Sequence, residues 1–210
     1  MEWNLLTAQN LAIIDRRVDI SLFSPSEYEI IRRIIFASAD LDYRFLVSFI
    51  YQPLEKGASA LEARVPIIVD SPIIQVGISG ILQRTFGNPV YCLDEIVPYF
   101  FRKANRNILL NSLTKSYPHA IYIVGQNQLA LLSLLDLQAQ SSFFQPSLIV
   151  ASYSGFVRKE LINQRLHNSP IPHIRIDGTK GGCDVAIALF SGLIDLSWIR
   201  YQNRIKHPPQ

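Results

Sequence analysis

Charged residues are sparse in this chain. Asp, Glu, Lys and Arg make up 18% of its 210 residues, whereas hydrophobic residues make up 49%. So little charge beside so much apolar material excludes a disordered polyelectrolyte and calls for a buried core. No long basic run is present, and the net charge is only +3. A nucleic-acid interface therefore has no clear electrostatic footprint, and the mild excess of Lys and Arg suits an acidic small molecule as well. Cysteine is scarce too. Cys92 and Cys183 form no CxxC pair and no metal-ligand cluster, and both lie in apolar sequence, as buried thiols do. The start, Met1-Glu2-Trp3-Asn4, lacks a basic stretch followed by an apolar one, so no secretory signal is expected. The longest apolar stretches stop well short of membrane-spanning length. No Pro/Gly-rich linker divides the chain. The expectation is a cytoplasmic protein with one domain over residues 1–205, a loose tail at 206–210, and no nucleic-acid or membrane partner.

Against these absences, a regular alternation of elements stands out. The opening residues to about Phe23 give no firm element. Ser24-Pro25-Ser26-Glu27 then reads as a helix start: Ser24 caps, proline suits the first helical position, and Glu27 stands three residues after the cap. Apolar Tyr28, Ile31, Ile34, Ile35 and Ala39 follow at helical spacing. A second helix is expected over about 53–63. Short apolar runs then end at Asp70, Asp94, Gly125, Ser152 and Asp177, with helical stretches between several of them and after the last. Unalternating strands that take turns with helices predict an α/β fold, a mostly parallel sheet covered by helices on both faces. Ligands of such folds bind at the carboxyl ends of the strands, so those residues should surround any site.

The strongest local signal is Gly178-Thr179-Lys180-Gly181-Gly182, between the last strand and the last helix. Its glycines allow close approach of backbone N–H groups, and Lys180 with the helix start favours an anion. The spacing does not fit a Walker loop. On pattern alone, a glycine-rich turn with a solvated lysine remains the other reading. Ser152-Tyr153-Ser154-Gly155-Phe156 lacks the glycine before the serine of a hydrolase elbow, so a plain strand-to-helix turn is expected. Arg102 and Arg106 share one helix face, and Arg106 becomes a carboxylate ligand if its end of the helix reaches the site. His119 and His173 each begin a strand, away from the expected site; His167 ends a helix and His207 lies in the tail. No catalytic dyad is visible.

Several segments together resemble the precorrin-8X methylmutase (precorrin isomerase) family of cobalamin biosynthesis. Residues 33–43, RIIFASADLDY, are similar to the family's R-V-I-H-A-T-[AG]-D-x-[ED]-Y. Residues 57–78, GASALEARVPIIVDSPIIQVGI, match its G-x-x-A-L-x-x-G-x-P-I-x-x-D-x-x-M-V-x-x-G-I. Residues 120–131, 146–157 and 172–188 follow in the family's order, the last carrying G-x-K-G-G. The resemblance spans about residues 18–195. It implies a homodimer that binds a corrinoid or other polycarboxylate tetrapyrrole and needs no separate cofactor. The implied reaction moves a methyl group between neighbouring macrocycle carbons, giving hydrogenobyrinic acid or its cobalt form. It also implies ligand contacts at Arg106, Gly125, Gly155, Lys180, Gly181 and Gly182, and chemistry at positions 36, 38 and 40.

There the chain departs from the pattern. Phe36 stands where the family's proton-donating histidine is expected, Ser38 replaces threonine, and Asp40 is kept. Gly125-Gln126-Asn127-Gln128 replaces G-N-A-P, and Asn163 stands where a lysine is expected. Phenylalanine neither gives nor takes a proton. Asp40, Tyr43 and Cys183 are the nearby groups that could do so. Three readings follow: a working methylmutase, a non-catalytic tetrapyrrole binder or regulator, or a protein that keeps only the fold. The third expects Phe36, Tyr153 and Gln128 to fill the cleft.

Overall fold

A computed structural model describes residues 5–93, 110 and 112–206. Its helices are α1 (Leu5–Arg17), α2 (Pro25–Ser38), the single turn α3 (Tyr43–Leu46), α4 (Pro53–Glu62), α5 (Pro72–Gln83), α6 (Gln128–Gln140), α7 (Lys159–His167) and α8 (Cys183–Lys206). Its strands are β1 (Val47–Ile50), β2 (Ile67–Val69), β3 (Val90–Cys92), β4 (Ile121–Val124), β5 (Leu148–Ala151) and β6 (His173–Ile176). They form one sheet in the order β1-β6-β5-β4-β2-β3. Every pairing is parallel except β1 with β6, an antiparallel edge. The α/β architecture with a mostly parallel sheet is therefore as expected.

Strand periodicity divides the core. Ile67, Val69, Ile121, Ile123, Leu148, Val150, Ile174 and Ile176 face the layer of α1, α2, α4, α5 and α8. The intervening Ile68, Tyr122, Val124, Ile149 and Ala151 face the α6 and α7 layer. Successive side chains of a strand point to opposite faces, and both faces here are dry, so the strands read as unbroken apolar runs. α2 begins with the anticipated capping box: Glu27 N–H donates to Ser24 Oγ, and Ser24 N–H donates to the Glu27 carboxylate.

Three elements were not legible in the pattern. The opening residues, read as no firm element, form α1, which buries only Leu11 and Ile14 and so carries a weak apolar stripe. β1 has no side chain fully buried and no alternation to reveal it. α5 follows Asp70 directly, and its apolar residues continue those of β2 without a break in composition. Two further expectations concern the ends of elements. Lys206, assigned to a loose tail, is the last residue of α8, because the helix simply runs on; residues 207–210 lie outside the described ones. The long helix expected before Tyr117 is described at Leu110 and 112–116; Asp94, Arg102 and Arg106 lie outside the described residues.

Candidate functional site

The sheet reverses its winding between β2 and β4. From β2 the chain crosses to β3 on one side, whereas from β4 it proceeds to β5 and β6 on the other. The crevice at such a switch point is where open α/β sheets bind ligands. Here it lies beyond Val69 and Val124, and Asp70 occupies it. The buried Asp70 carboxylate accepts the N–H groups of Gly125 (3.0 Å), Gln126 (2.9 Å) and Asn127 (2.6 Å). These charge-assisted bonds shape the turn into α6. Gly125 is required by crowding, since a Cβ there would lie 2.6 Å from Ile74 Cδ1 and 3.3 Å from Cys183 Cα.

Beside the switch point, the 178–182 loop is laced to the turn after β5. Gly182 N–H donates to Ser152 O (2.5 Å), Ser152 Oγ donates to Gly182 O (3.1 Å), and Gly155 N–H donates to Thr179 O (3.1 Å). Gly181 takes φ +138°, and a Cβ there would collide with the Ser152 carbonyl, so only glycine fits. Its N–H is directed toward the Tyr43 hydroxyl. Burial, together with the Asp184 and Asp40 charges, pushes that hydroxyl above its usual pKa. Of the loop's N–H groups, that of Gly182 is thus bonded within the protein.

Lys180 does not stand free either. Its Nζ lies 2.6 Å from Asp40 Oδ2 and 2.7 Å from Asp42 Oδ2, at the turn between α2 and α3. Bonding to both carboxylates raises the pKa of Lys180, and the Lys180 bond in turn lowers that of Asp40. Ser38 is close by. Its hydroxyl donates to Ile34 O (2.8 Å) and accepts from Asp40 N–H (3.3 Å), which finishes the helix where Ala39 turns left-handed at φ 54°. Asp40, Ser38, Lys180 and Gly181, far apart in the chain, therefore meet at one turn.

Phe36 is 42% exposed and lines a cavity of about 300 Å³ between α1 and α2, with Asn10, Ile13, Ile14, Arg17, Ile35, Ala39 and Leu41. Of the three side chains expected to fill a cleft, Gln128 is half-buried at the start of α6. Phe36 leaves its cavity open, and Tyr153 is fully buried under the turn, its hydroxyl donating to Asn163 Oδ1 (3.3 Å). Gly155 lies in open space, with nothing within 4 Å of a Cβ. Cys183 is part-exposed rather than fully buried, as the first residue of α8. Burial nevertheless raises its thiol pKa.

Three site residues carry no mark in the sequence pattern as read. Arg17 and Asn10 flank Phe36 because α1 is a helix; the spacing of 10, 13, 14 and 17 is one helical stripe and was the available signal. Lys159, on the first turn of α7, is buried although it is charged. Its Nζ donates to Lys180 O (2.5 Å) and lies 5.4 Å from the Tyr153 ring centroid. Asn163, one helical turn on, donates to Ile176 O (3.0 Å) and Asp177 Oδ1 (3.3 Å). No signal in the sequence marks Lys159 as buried. Among the described residues no group of three His, Cys, Asp or Glu side chains is arranged to hold a metal, and no helix is long and apolar enough to cross a membrane.

Known proteins share this architecture and sequence. The precorrin-8X methylmutase family profile matches residues 6–196. The cobalt-precorrin-8 methylmutase of Synechocystis sp. is 30% identical over 205 residues, covering 90% of this chain and 94% of that protein. The enzyme of the same name from Leptospira interrogans is 30% identical over 202 residues, covering 90% and 91%. The crystal structure of precorrin-8X methylmutase from Thermus thermophilus superposes with a TM-score of 0.81 at 28% identity, covering 92% of this chain and 98% of that one. With the family profile spanning nearly the whole chain, the protein belongs to the precorrin-8X methylmutase family.

Proposed function

We propose that this protein binds a polycarboxylate corrin precursor at the strand-end site, within cobalamin biosynthesis, and that its weak point is proton transfer. Family membership supports the ligand class, and the cluster of Lys180, Gly181 and Asp40 around one turn supports the place. Arg17 beside the Phe36 cavity adds a cation suited to a ligand carboxylate. The reading includes Gly125 and Gly155 as positions of close ligand approach, Arg106 as a further carboxylate partner, and a homodimer as the working form.

The observation that carries the reading is the exposed, apolar Phe36 in the last turn of α2, just before the charged α2–α3 turn. A methyl shift between neighbouring ring carbons is an intramolecular rearrangement, so binding and orientation supply part of its rate. The general acid supplies roughly a further hundredfold to ten-thousandfold. At the turn that follows, Asp40 is held ionised by Lys180, Lys180 is held protonated by two carboxylates, and Tyr43 is a weaker acid than usual. None of the three is poised to exchange a proton near neutrality. The protein therefore keeps the ligand site while any isomerisation is slow, which favours a binding role over rapid turnover.

Absorption titration with hydrogenobyrinic acid, followed by incubation of excess protein with precorrin-8X, tests both halves. Saturable binding with slow conversion or none is expected. Absence of binding overturns the assignment of ligand, and conversion at a rate typical of enzymes overturns the slow-transfer half.

A further inference from the structure

Lys159 is a charged side chain in a place where the fold would accept an apolar one. It is 3% exposed, and its hydrogen-bond partner is a backbone carbonyl, Lys180 O, at 2.5 Å. The nearest carboxylate influence comes from Asp177, just after β6, but that group is engaged elsewhere. It accepts from Arg175 Nε (2.8 Å), Ser48 Oγ (2.6 Å) and Asn163 Nδ2 (3.3 Å). Tyr153 offers its ring face, and the Lys180 ammonium is turned away to Asp40 and Asp42. A buried ammonium without a bonded carboxylate costs stability, so its presence calls for a compensating role.

We propose that Lys159 is the positioning residue of the 178–182 loop, holding the Lys180 carbonyl inward so that the Gly181 N–H and the Lys180 side chain are presented at the α2–α3 turn. This rests on the corrinoid-binding reading for its consequence, though not for its geometry. In a trans peptide the C=O and N–H point in opposite directions. Fixing Lys180 C=O against Lys159 therefore directs Gly181 N–H the other way, toward the side of the Tyr43 hydroxyl. The hold is needed because Gly181 and Gly182 both take positive φ (138° and 143°) and carry no side chain to lock their peptides. The preceding peptide is pinned in the same manner, Thr179 O accepting from Gly155 N–H.

The hold is also sensitive to pH. Burial brings the Lys159 ammonium down to about 8, opposed by the Asp177 charge. Of the groups facing it, Tyr153 is pushed up to about 12, Lys180 is raised and Asp177 lowered, so Lys159 alone among them changes charge between pH 7 and 9. A charged donor holds a carbonyl more strongly than a neutral amine.

Three proteins decide the matter: wild type, Lys159→Met and Lys159→Arg. Amide hydrogen exchange of residues 178–182, compared with wild type at each pH, reads the loop without any ligand. Lys159→Met is expected to lose about tenfold protection there at pH 7, while its thermal midpoint stays equal to wild type or rises because a buried charge is gone. Wild-type protection should fall relative to Lys159→Arg as pH passes 8. In absorption titrations with hydrogenobyrinic acid, wild-type affinity should follow the same pH profile and Lys159→Met should be weaker and flat. Unchanged loop protection in Lys159→Met, or a large fall in its thermal midpoint, overturns the proposal. If no protein binds the corrinoid, the ligand reading fails, and the exchange data still decide the role of Lys159.

Discussion

Lys180 Nζ lies 2.6 Å from Asp40 Oδ2, closing a contact between residues 140 positions apart and joining the glycine-rich loop to the end of α2. The 2.7 Å contact with Asp42 makes the cluster two carboxylates to one ammonium, so it is net negative before any ligand arrives. An incoming carboxylate must compete with Asp42, whose side chain is the more exposed of the two. Asp42→Asn should therefore strengthen binding of hydrogenobyrinic acid about threefold, with less than about 0.5 kcal/mol change in stability, as expected for an exposed ion pair. Absorption titration and urea denaturation measure the two quantities. Weaker binding would instead make Asp42 the group that aims Lys180.

Phe36→His should restore proton transfer without disturbing the fold. Position 36 is 42% exposed and lines an open cavity, so the smaller, polar ring is accommodated with a stability change of about 0.5 kcal/mol or less. Conversion of precorrin-8X should rise by about a hundredfold or more. If binding is intact and the rate does not move, the acid cannot reach the ring from this position.

Much of this arrangement was readable from residue order, and the failures have physical causes. Buried parallel strands announce themselves as apolar runs, so five of the six were located; β1, half-buried at an antiparallel edge, carries no such run. The G-x-K-G-G loop was legible because glycine tolerates the φ values of Gly178, Gly181 and Gly182. What the sequence could not reveal is how the loop's polar groups are spent. The expectation of exposed N–H donors and a free lysine gave way to bonds with Ser152, Asp40 and Asp42, all contacts between distant segments. The burial of Lys159 is hidden for the same reason, since composition places lysine outside.

Asp70→Asn should be strongly destabilising. The carboxylate accepts three consecutive backbone N–H groups at the switch point, and an amide replaces one acceptor oxygen with a donor aimed at another donor. A loss of about 2–4 kcal/mol is expected from the charged bonds alone. Urea denaturation measures it. Because the turn into α6 is shaped by these bonds, corrinoid affinity should fall with it; full stability in Asp70→Asn would mean that the turn holds itself.

His173 sets a lower limit on the pH at which the fold is stable. The ring is fully buried at the start of β6. Its Nδ1 must carry the proton donated to Ile171 O (2.8 Å), while Nε2 has no partner. Burial pulls its pKa from 6.5 down to about 4. The unfolded chain thus takes up a proton at higher pH than the folded one, so the full contribution is present above about pH 6.5. It is lost as pH falls toward about 4, amounting to about 3 kcal/mol in all. Denaturant unfolding at pH 7, 5.5 and 4.5 should show this decline in wild type. His173→Leu, which fills the same dry site without a proton to bind, should lose that part of the slope. An unchanged slope in the variant would assign the acid sensitivity to other groups.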